Sequence, residues 1–342
     1  MLGMMLGSLW FGGTPALEPT EETPPSETTQ SAQSDSALTF TARLPAAENA
    51  STLNVEELFW PGPTEPTEED LKCLRSWQVC QMSSHPADML ERGVVQPLVL
   101  EIHVGGMRLN GEDVLEFHEG LRLAKDETKG PLLVRLHDAT HQQYARWSEM
   151  LGVSPEAEER PPATALLVVD EAVPSVMLQR AIYSIGTAGV STFAYLVDDP
   201  KPTPPIPPLP GRGAAWLELT SASATLHEGH GYGGDRTTVE APEFLEEASR
   251  SLLPRTPSCI FVAPTSDVPH GTQVQYLDQL AALGAPNHQL AGGARAEGPI
   301  VLESPTPPPP AWTLDLSRPL AVFRTGLPEV GPDRTLKCWD AP

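Results

Sequence analysis

The densest group of possible metal ligands in the sequence is His227–Asp235, which reads HEGHGYGGD. It sets two imidazoles and two carboxylates among four glycines, and these side chains are common ligands of divalent ions. The glycines leave the ligands unorganised, because ordering flexible backbone costs about 1–2 kcal/mol per residue. We therefore interpret the segment as a hairpin tip without bound metal. The alternative is a metal-binding protein or metal-dependent enzyme that uses His227 and His230.

A second candidate is the pair His137 and His141, in the sequence HDATH. Residues four apart share one face of a helix, so two imidazoles at this spacing could ligate one ion. Asp138 is a typical helix N-cap, which predicts a helix over Ala139–Leu151 with His137 in front of it. We therefore predict an exposed pair and no metal site.

The four cysteines, Cys73, Cys80, Cys259 and Cys338, contain no CxxC pair. In one straight helix the Cα atoms of Cys73 and Cys80 would be about 10 Å apart, which is too far for a disulfide. An even number of cysteines fits an oxidising compartment, and four free thiols are the alternative.

Acyl-transfer chemistry lacks its motif, because no GxSxG occurs in the sequence. The adjacent carboxylates of Asp170 and Glu171 diverge, and we expect Asp170 in a loop before a helix. The sequence therefore predicts no catalytic, cofactor-binding or metal-binding residues and a protein that is not an enzyme.

The composition excludes several kinds of partner. The 342 residues include 45 acidic and 22 basic side chains, for a net charge of −23. Nucleic-acid binding requires clustered Lys and Arg, and anionic lipid also attracts basic segments, so we expect neither partner.

The apolar run Met1–Gly13 would rise about 20 Å as a helix, short of a ~30 Å hydrocarbon core. We expect no membrane span and interpret this run as an export signal or the end of a longer membrane segment, with a disordered apolar terminus as the alternative.

Proline-rich runs divide the chain. Lys201–Gly211 holds six prolines in eleven residues, and Ser304–Pro310 reads SPTPPPP; such runs favour extended polyproline II spacers. The predicted order is an apolar terminus and a largely disordered acidic segment with a short Cys-containing helical patch (1–92), a first domain (93–198), a Pro-rich linker (199–212), a second domain (213–293), and a Pro-rich linker with a tail (294–342). We expect each domain to fold separately.

The two domains share a repeat at an offset of 95 residues. Thr164–Val190 (TALLVVDEAVPSVMLQRAIYSIGTAGV) aligns without a gap with Cys259–Ala285 (CIFVAPTSDVPHGTQVQYLDQLAALGA). Each copy has an apolar strand, an acidic or polar turn, Val-Pro, helical spacing and a glycine. The identical residues, which are the fold-motif residues, are Val173 and Val268, Pro174 and Pro269, and Gly189 and Gly284.

Each part of the repeat has a physical reason. Proline suits the first helical position, which predicts helices that begin at Pro174 and Pro269. Glycine suits the left-handed position after a helix, which predicts helix ends at Gly189 and Gly284. The predicted buried positions of the two helices are Leu178, Ile182, Ile185, Val274, Leu277 and Leu280. The predicted strands are Ala165–Val168, Ile260–Ala263 and Thr192–Val197.

This unit resembles the periplasmic domain of the ExbD/TolR biopolymer-transport family, present in two copies. In that family a β-hairpin and a first helix come before the repeat. Here Leu100–Phe117, with a turn at Asn110-Gly111, would be the first hairpin, and Trp216–Leu226 with Ala241–Leu253 the second hairpin and helix. The resemblance implies an α/β (α+β) fold of two small β-hairpin/helix/strand/helix/strand domains.

The resemblance also implies a location and partners. It places the protein in the periplasm or cell envelope of a bacterium, with envelope proteins of a Ton/Tol-type complex or peptidoglycan as partners, and with self-association through the repeats. The family's proton-driven function uses a membrane helix that carries an aspartate, whereas residues 1–17 contain no Asp or Glu. We therefore expect a binding role and not proton conduction; an exported structural spacer is a further alternative.

Overall fold

The computed structural model describes residues 39–54, 58, 98–117, 123, 127–150, 163–202, 214–220, 223–228, 236–240, 259–282, 287–290, 311–314, 318–326, 329–330 and 336–337. All of them belong to one compact unit. Several expectations lie wholly or mostly outside these residues: the acidic segment before residue 39, Cys73 and Cys80, the helix Ala241–Leu253, the Pro-rich runs, Gly284, and residues 229–235 of the His227–Asp235 loop.

The described elements are strands with three helices. In the first half they are β1 Thr39–Phe40, β2 Ser51–Leu53, β3 Leu98–His103, β4 Gly106–Leu109, β5 Glu112–Glu116, β6 Thr128–Lys129, β7 Leu132–Leu133, α1 Val134–Met150, β8 Ala163–Val169, α2 Ser175–Thr187 and β9 Val190–Leu196. In the second half they are β10 Ala214–Leu219, β11 Ser223–Glu228, β12 Arg236–Glu240, β13 Cys259–Pro264, α3 His270–Ala282, β14 Asn287–Leu290, β15 Trp312–Thr313, β16 Leu320–Gly326, β17 Glu329–Val330 and β18 Leu336–Lys337.

Two sheets repeat one topology. The larger has the order β2-β16-β9-β8-β3-β4-β5, and the smaller has the order β12-β11-β10-β13-β14. In the larger sheet β8 is parallel to β3 and β9, and in the smaller sheet β13 is parallel to β10 and β14. The five strands β5-β4-β3-β8-β9 therefore match β12-β11-β10-β13-β14 in order and direction. The repeat extends to the hairpins before the aligned segment, and the mixed α and β fold class is confirmed.

The predicted hairpin turn has the expected backbone. Asn110 has φ 51° and Gly111 has φ 84°, and positive φ at both central residues is the requirement of a type I′ turn. The side chain of Asn110 accepts a hydrogen bond from the N–H of Val99 at 2.7 Å. The turn therefore joins β4 to β5 and is also attached to β3.

The predicted strands and buried helix positions are confirmed. Strands β8 and β13 include the two apolar runs, and strand β9 includes most of the predicted return strand. Gly189 follows α2 with φ 117°, as a left-handed helix end requires. The predicted core positions of both helices are buried: Leu178, Ile182, Ile185, Val274, Leu277 and Leu280.

Two expectations about helix starts are wrong. Asp138 does not cap α1, because that helix begins at Val134. Pro174 is the residue before α2 (φ −71°, ψ 146°) and not its first helical residue, and α3 likewise begins at His270 and not at Pro269. Strands β2 and β16 pair with each other, and β16 also pairs with β9, so the larger sheet includes strands from outside residues 93–198.

The copies contribute to one buried apolar cluster. It contains Val176 and Ile182 of α2 together with Val274 and Leu277 of α3. A second cluster covers the opposite face of the larger sheet, where Phe40 packs on Trp312 with ring centroids 5.0 Å apart. The larger sheet is thus covered by the helices on one face and by the β1 and β15 segments on the other.

Candidate functional site

The two copies meet at equivalent residues. Pro174 pairs with Pro269 in an antiparallel bridge. The N–H of Ser175 donates to the carbonyl of Val268, and the N–H of His270 donates to the carbonyl of Val173, each at 2.8 Å. The donor and acceptor of one bond are the residues that align, at the 95-residue offset, with the donor and acceptor of the other. Exchange of the two copies therefore reproduces the pair of bonds, as a local pseudo-two-fold axis through the bridge would. We call the segments 170–176 and 265–271 the junction.

A second pair of bonds follows the same symmetry. The N–H of Val176 donates to the carbonyl of Ser266 at 3.3 Å, and the N–H of Gly271 donates to the carbonyl of Glu171 at 2.8 Å. A Cβ atom at Gly271 would lie 3.1 Å from the Cβ of Glu171. The glycine therefore permits a close approach of the two backbones at this point.

These bonds use groups that a helix leaves unpaired. The first N–H groups of any helix have no intrahelical acceptor. Ser175 and His270 are the first residues of α2 and α3, and the carbonyls of the other copy accept their N–H groups. The extended backbone of Pro174 places these groups side by side. Each copy therefore caps the helix of the other copy.

The side chains at the two equivalent positions differ. The hydroxyl of Ser175 donates to the carbonyl of Val268 at 2.7 Å. The ring of His270 is 0% exposed and packs on Tyr195, with centroids 5.6 Å apart. Neither ring nitrogen has a hydrogen-bond partner among the described residues, and the same holds for the Tyr195 hydroxyl and the side-chain amide of Gln273. Burial lowers the pKa of His270 to about 3, so the ring is neutral.

Two buried carboxylates lie near the carboxyl ends of two adjacent parallel strands. Glu101 of β3 is 2% exposed, and Asp170 directly after β8 is 1% exposed. Ligands of α/β proteins bind at this edge of a sheet. Here residues 41–43 occupy the edge: Glu101 accepts the N–H groups of Thr41 at 2.6 Å and Ala42 at 3.2 Å, and Asp170 accepts the N–H of Arg43 at 2.8 Å.

These carboxylates therefore hold a backbone segment in place. Asp170 lies in the loop before α2, as predicted, and also accepts the N–H of Ala172 at 2.9 Å. Glu101 was not identified from the sequence, although a carboxylate within the apolar run LVLEIH is a signal for a buried polar contact. Arg108 donates to Asp113 at 2.7 Å and lies 3.4 Å from Glu101. The hydrogen bond with Asp113 raises the pKa of Arg108.

The histidine pair has a geometry different from the predicted one. Both His137 and His141 lie within α1, and their rings are parallel, with centroids 5.9 Å apart. The Nδ1 atom of His137 is 3.0 Å from a carboxylate oxygen of Asp138. The backbone of His227 lies in β11, and His230 is outside the described residues. Among the described residues, no three His, Cys, Asp or Glu side chains form a metal-binding group.

Four of the six fold-motif residues lie together. Val173, Pro174, Val268 and Pro269 meet at the junction, and Gly189 ends α2 at the opposite end of that helix. No helix within the described part of the chain is long and apolar enough to cross a membrane. No protein-family model, curated protein or solved structure matches this chain.

Proposed function

We propose that this chain is a non-enzymatic cell-envelope protein whose two ExbD/TolR-like copies work as one binding unit beside a Ton/Tol-type energy-transducing complex. The observation that carries the proposal is the reciprocal bonding at the junction. Each helix start depends on a carbonyl of the other copy. The two copies are therefore presented to a partner in a fixed relation.

The symmetry of the junction fits a partner that is itself repeated. A pair of similar domains around a pseudo-two-fold axis offers two similar surfaces. Peptidoglycan is a polymer of repeating units, and oligomeric membrane complexes present equivalent subunits. Binding at two linked surfaces raises the overall affinity through effective concentration, without any new type of contact.

The use of the buried carboxylates supports a binding role over catalysis. Glu101 accepts two backbone N–H groups and the hydroxyl of Thr41. Asp170 accepts two backbone N–H groups. General acid–base catalysis needs a carboxyl group that exchanges protons with a substrate, and these two are committed to main-chain donors.

The test separates the partners and the role of the junction. The full chain is incubated with purified peptidoglycan sacculi, and in parallel it is co-expressed with the membrane subunits of a Ton/Tol-type motor and purified. We expect sedimentation with the sacculi or co-purification with the motor. A parent chain that does neither contradicts the proposal.

A variant of the junction tests whether the copies act together. Ser175→Pro removes both the N–H and the hydroxyl that donate to Val268, while proline is tolerated at a first helical position. Ser175→Ala is the matched control, because it keeps the N–H. We expect Ser175→Pro to weaken binding more than Ser175→Ala does. Equal binding by both variants would mean that the copies bind separately.

A further inference from the structure

His137 and His141 lie one turn apart on helix α1, where His137 is partly buried and His141 is exposed. Both residues lie inside the helix, because α1 begins at Val134 and not after Asp138. The two rings lie one helical turn apart at an interplanar angle of 4°. Both imidazoles are therefore available on the same face of a regular helix.

Asp138 supplies a feature that metal-binding histidines have in common. Its carboxylate lies 3.0 Å from Nδ1 of His137, and its side chain is 59% exposed. A carboxylate that accepts one ring N–H fixes the tautomer, leaves a lone pair on the other nitrogen and makes the ring a better ligand. His137 is thus oriented to bind through Nε2.

We propose that His137 and His141 form a chelating site for a divalent transition-metal ion, with Asp138 as the group that orients His137. Residues four apart on a helix have Cβ atoms about 5–6 Å apart, and a metal–imidazole bond is about 2.0 Å long. This spacing lets two imidazoles on one face of a helix reach a single ion. Water completes the coordination.

Copper(II) is the ion that this site binds most tightly. Imidazole ligands suit copper, nickel and zinc, and the affinity for divalent ions of this series is highest at copper. The net charge of −23 also attracts cations to the surface.

The experiment is a titration of the full chain with copper(II) chloride, followed by calorimetry and electron paramagnetic resonance. We expect one binding event with two-nitrogen coordination. His141→Ala should remove that signature, and Asp138→Asn should weaken binding about tenfold or more while two nitrogens remain bound. A parent protein without this event contradicts the proposal.

A composition-matched control isolates the spacing. The double variant His141→Gln/Gln142→His exchanges two exposed neighbours and moves the second imidazole to the fifth position, away from His137. It should bind copper as weakly as His141→Ala does. Binding equal to that of the parent would overturn the chelate.

A second control separates this site from the other histidine group. His227→Ala/His230→Ala should leave the two-nitrogen event unchanged. Loss of the event in this variant, together with its retention in His141→Ala, would assign the copper to the His227–Asp235 loop and refute the proposal. Circular dichroism verifies that each variant keeps the helical content of the parent.

Discussion

The neutral His270 ring at the junction makes the protein sensitive to acid. Burial lowers the pKa of this ring from 6.5 to about 3 in the folded chain. The unfolded chain therefore takes up a proton near pH 6.5, whereas the folded chain does so only near pH 3. The free energy of unfolding is therefore highest above pH 6.5 and decreases progressively as the pH falls towards 3.

The size of the effect follows from the shift. One pH unit between the two pKa values changes the free energy of unfolding by about 1.4 kcal/mol for a single group. From pH 6.5 to pH 4 the expected loss is about 3 kcal/mol, and the full shift to a pKa of about 3 corresponds to a loss of about 5 kcal/mol. Because domains have total stabilities of about 5–15 kcal/mol, this one ring contributes strongly to acid unfolding.

The assay is urea denaturation of the parent and of His270→Ser between pH 4 and pH 7.5, followed by circular dichroism. Serine is the residue at the equivalent position 175, so the substitution copies the other half of the junction. Carboxylates titrate in both proteins, and the difference between the two pH profiles isolates the ring. We expect the parent to lose about 3 kcal/mol more than the variant from pH 6.5 to pH 4. Parallel profiles would refute the burial argument.

Three further predictions follow from single features of the fold. Gly189→Val should lower the free energy of unfolding by more than about 1 kcal/mol, because Gly189 has φ 117° and a β-branched residue is strained there. Gly186→Ala within α2 should be neutral or stabilising, and equal urea denaturation of the two variants would refute the role of the positive φ. Glu101→Gln should destabilise by about 1–3 kcal/mol through its buried hydrogen bonds, and the exposed Glu112→Gln should have little effect, as thermal melting would reveal. Residues 93–198 expressed alone should be digested faster than the full chain, because they lack β16 and the contacts of α3, and equal protease resistance would contradict the shared core.

Local patterns in the sequence predicted the elements of the repeat and the Asn110-Gly111 turn, because their signals lie within a few neighbouring residues. The start of α1 could not be predicted in the same way. The N–H of Leu133 donates to the hydroxyl of Ser184 at 2.8 Å, and the N–H of Val134 donates to the carbonyl of Glu127 at 2.9 Å. These contacts with distant residues therefore determine where α1 begins, although Asp138 is of a residue type that favours the N-cap position.

The strand partners of β2 and β16 could not be predicted from the sequence either. Strand β16 is more than a hundred residues from β9 in the chain, and β2 is far from both. A short apolar segment does not specify which strand it pairs with, since pairing depends on distant residues. The same reason explains why the sequence indicated two separate domains, whereas the structure shows copies that share one buried cluster.

The junction also explains why two similar halves of one chain can differ in chemistry. In a symmetric dimer any substitution occurs at both equivalent positions, whereas a duplicated segment within one chain can differ between its copies. Here the carbonyl of Val268 accepts both the N–H and the hydroxyl of Ser175, and the carbonyl of Val173 accepts the N–H of His270. The backbone symmetry is retained because backbone bonds hold the junction, and the side chain at position 270 is free to become a buried aromatic neighbour of Tyr195. The acid sensitivity of this junction therefore originates in only one of its two halves.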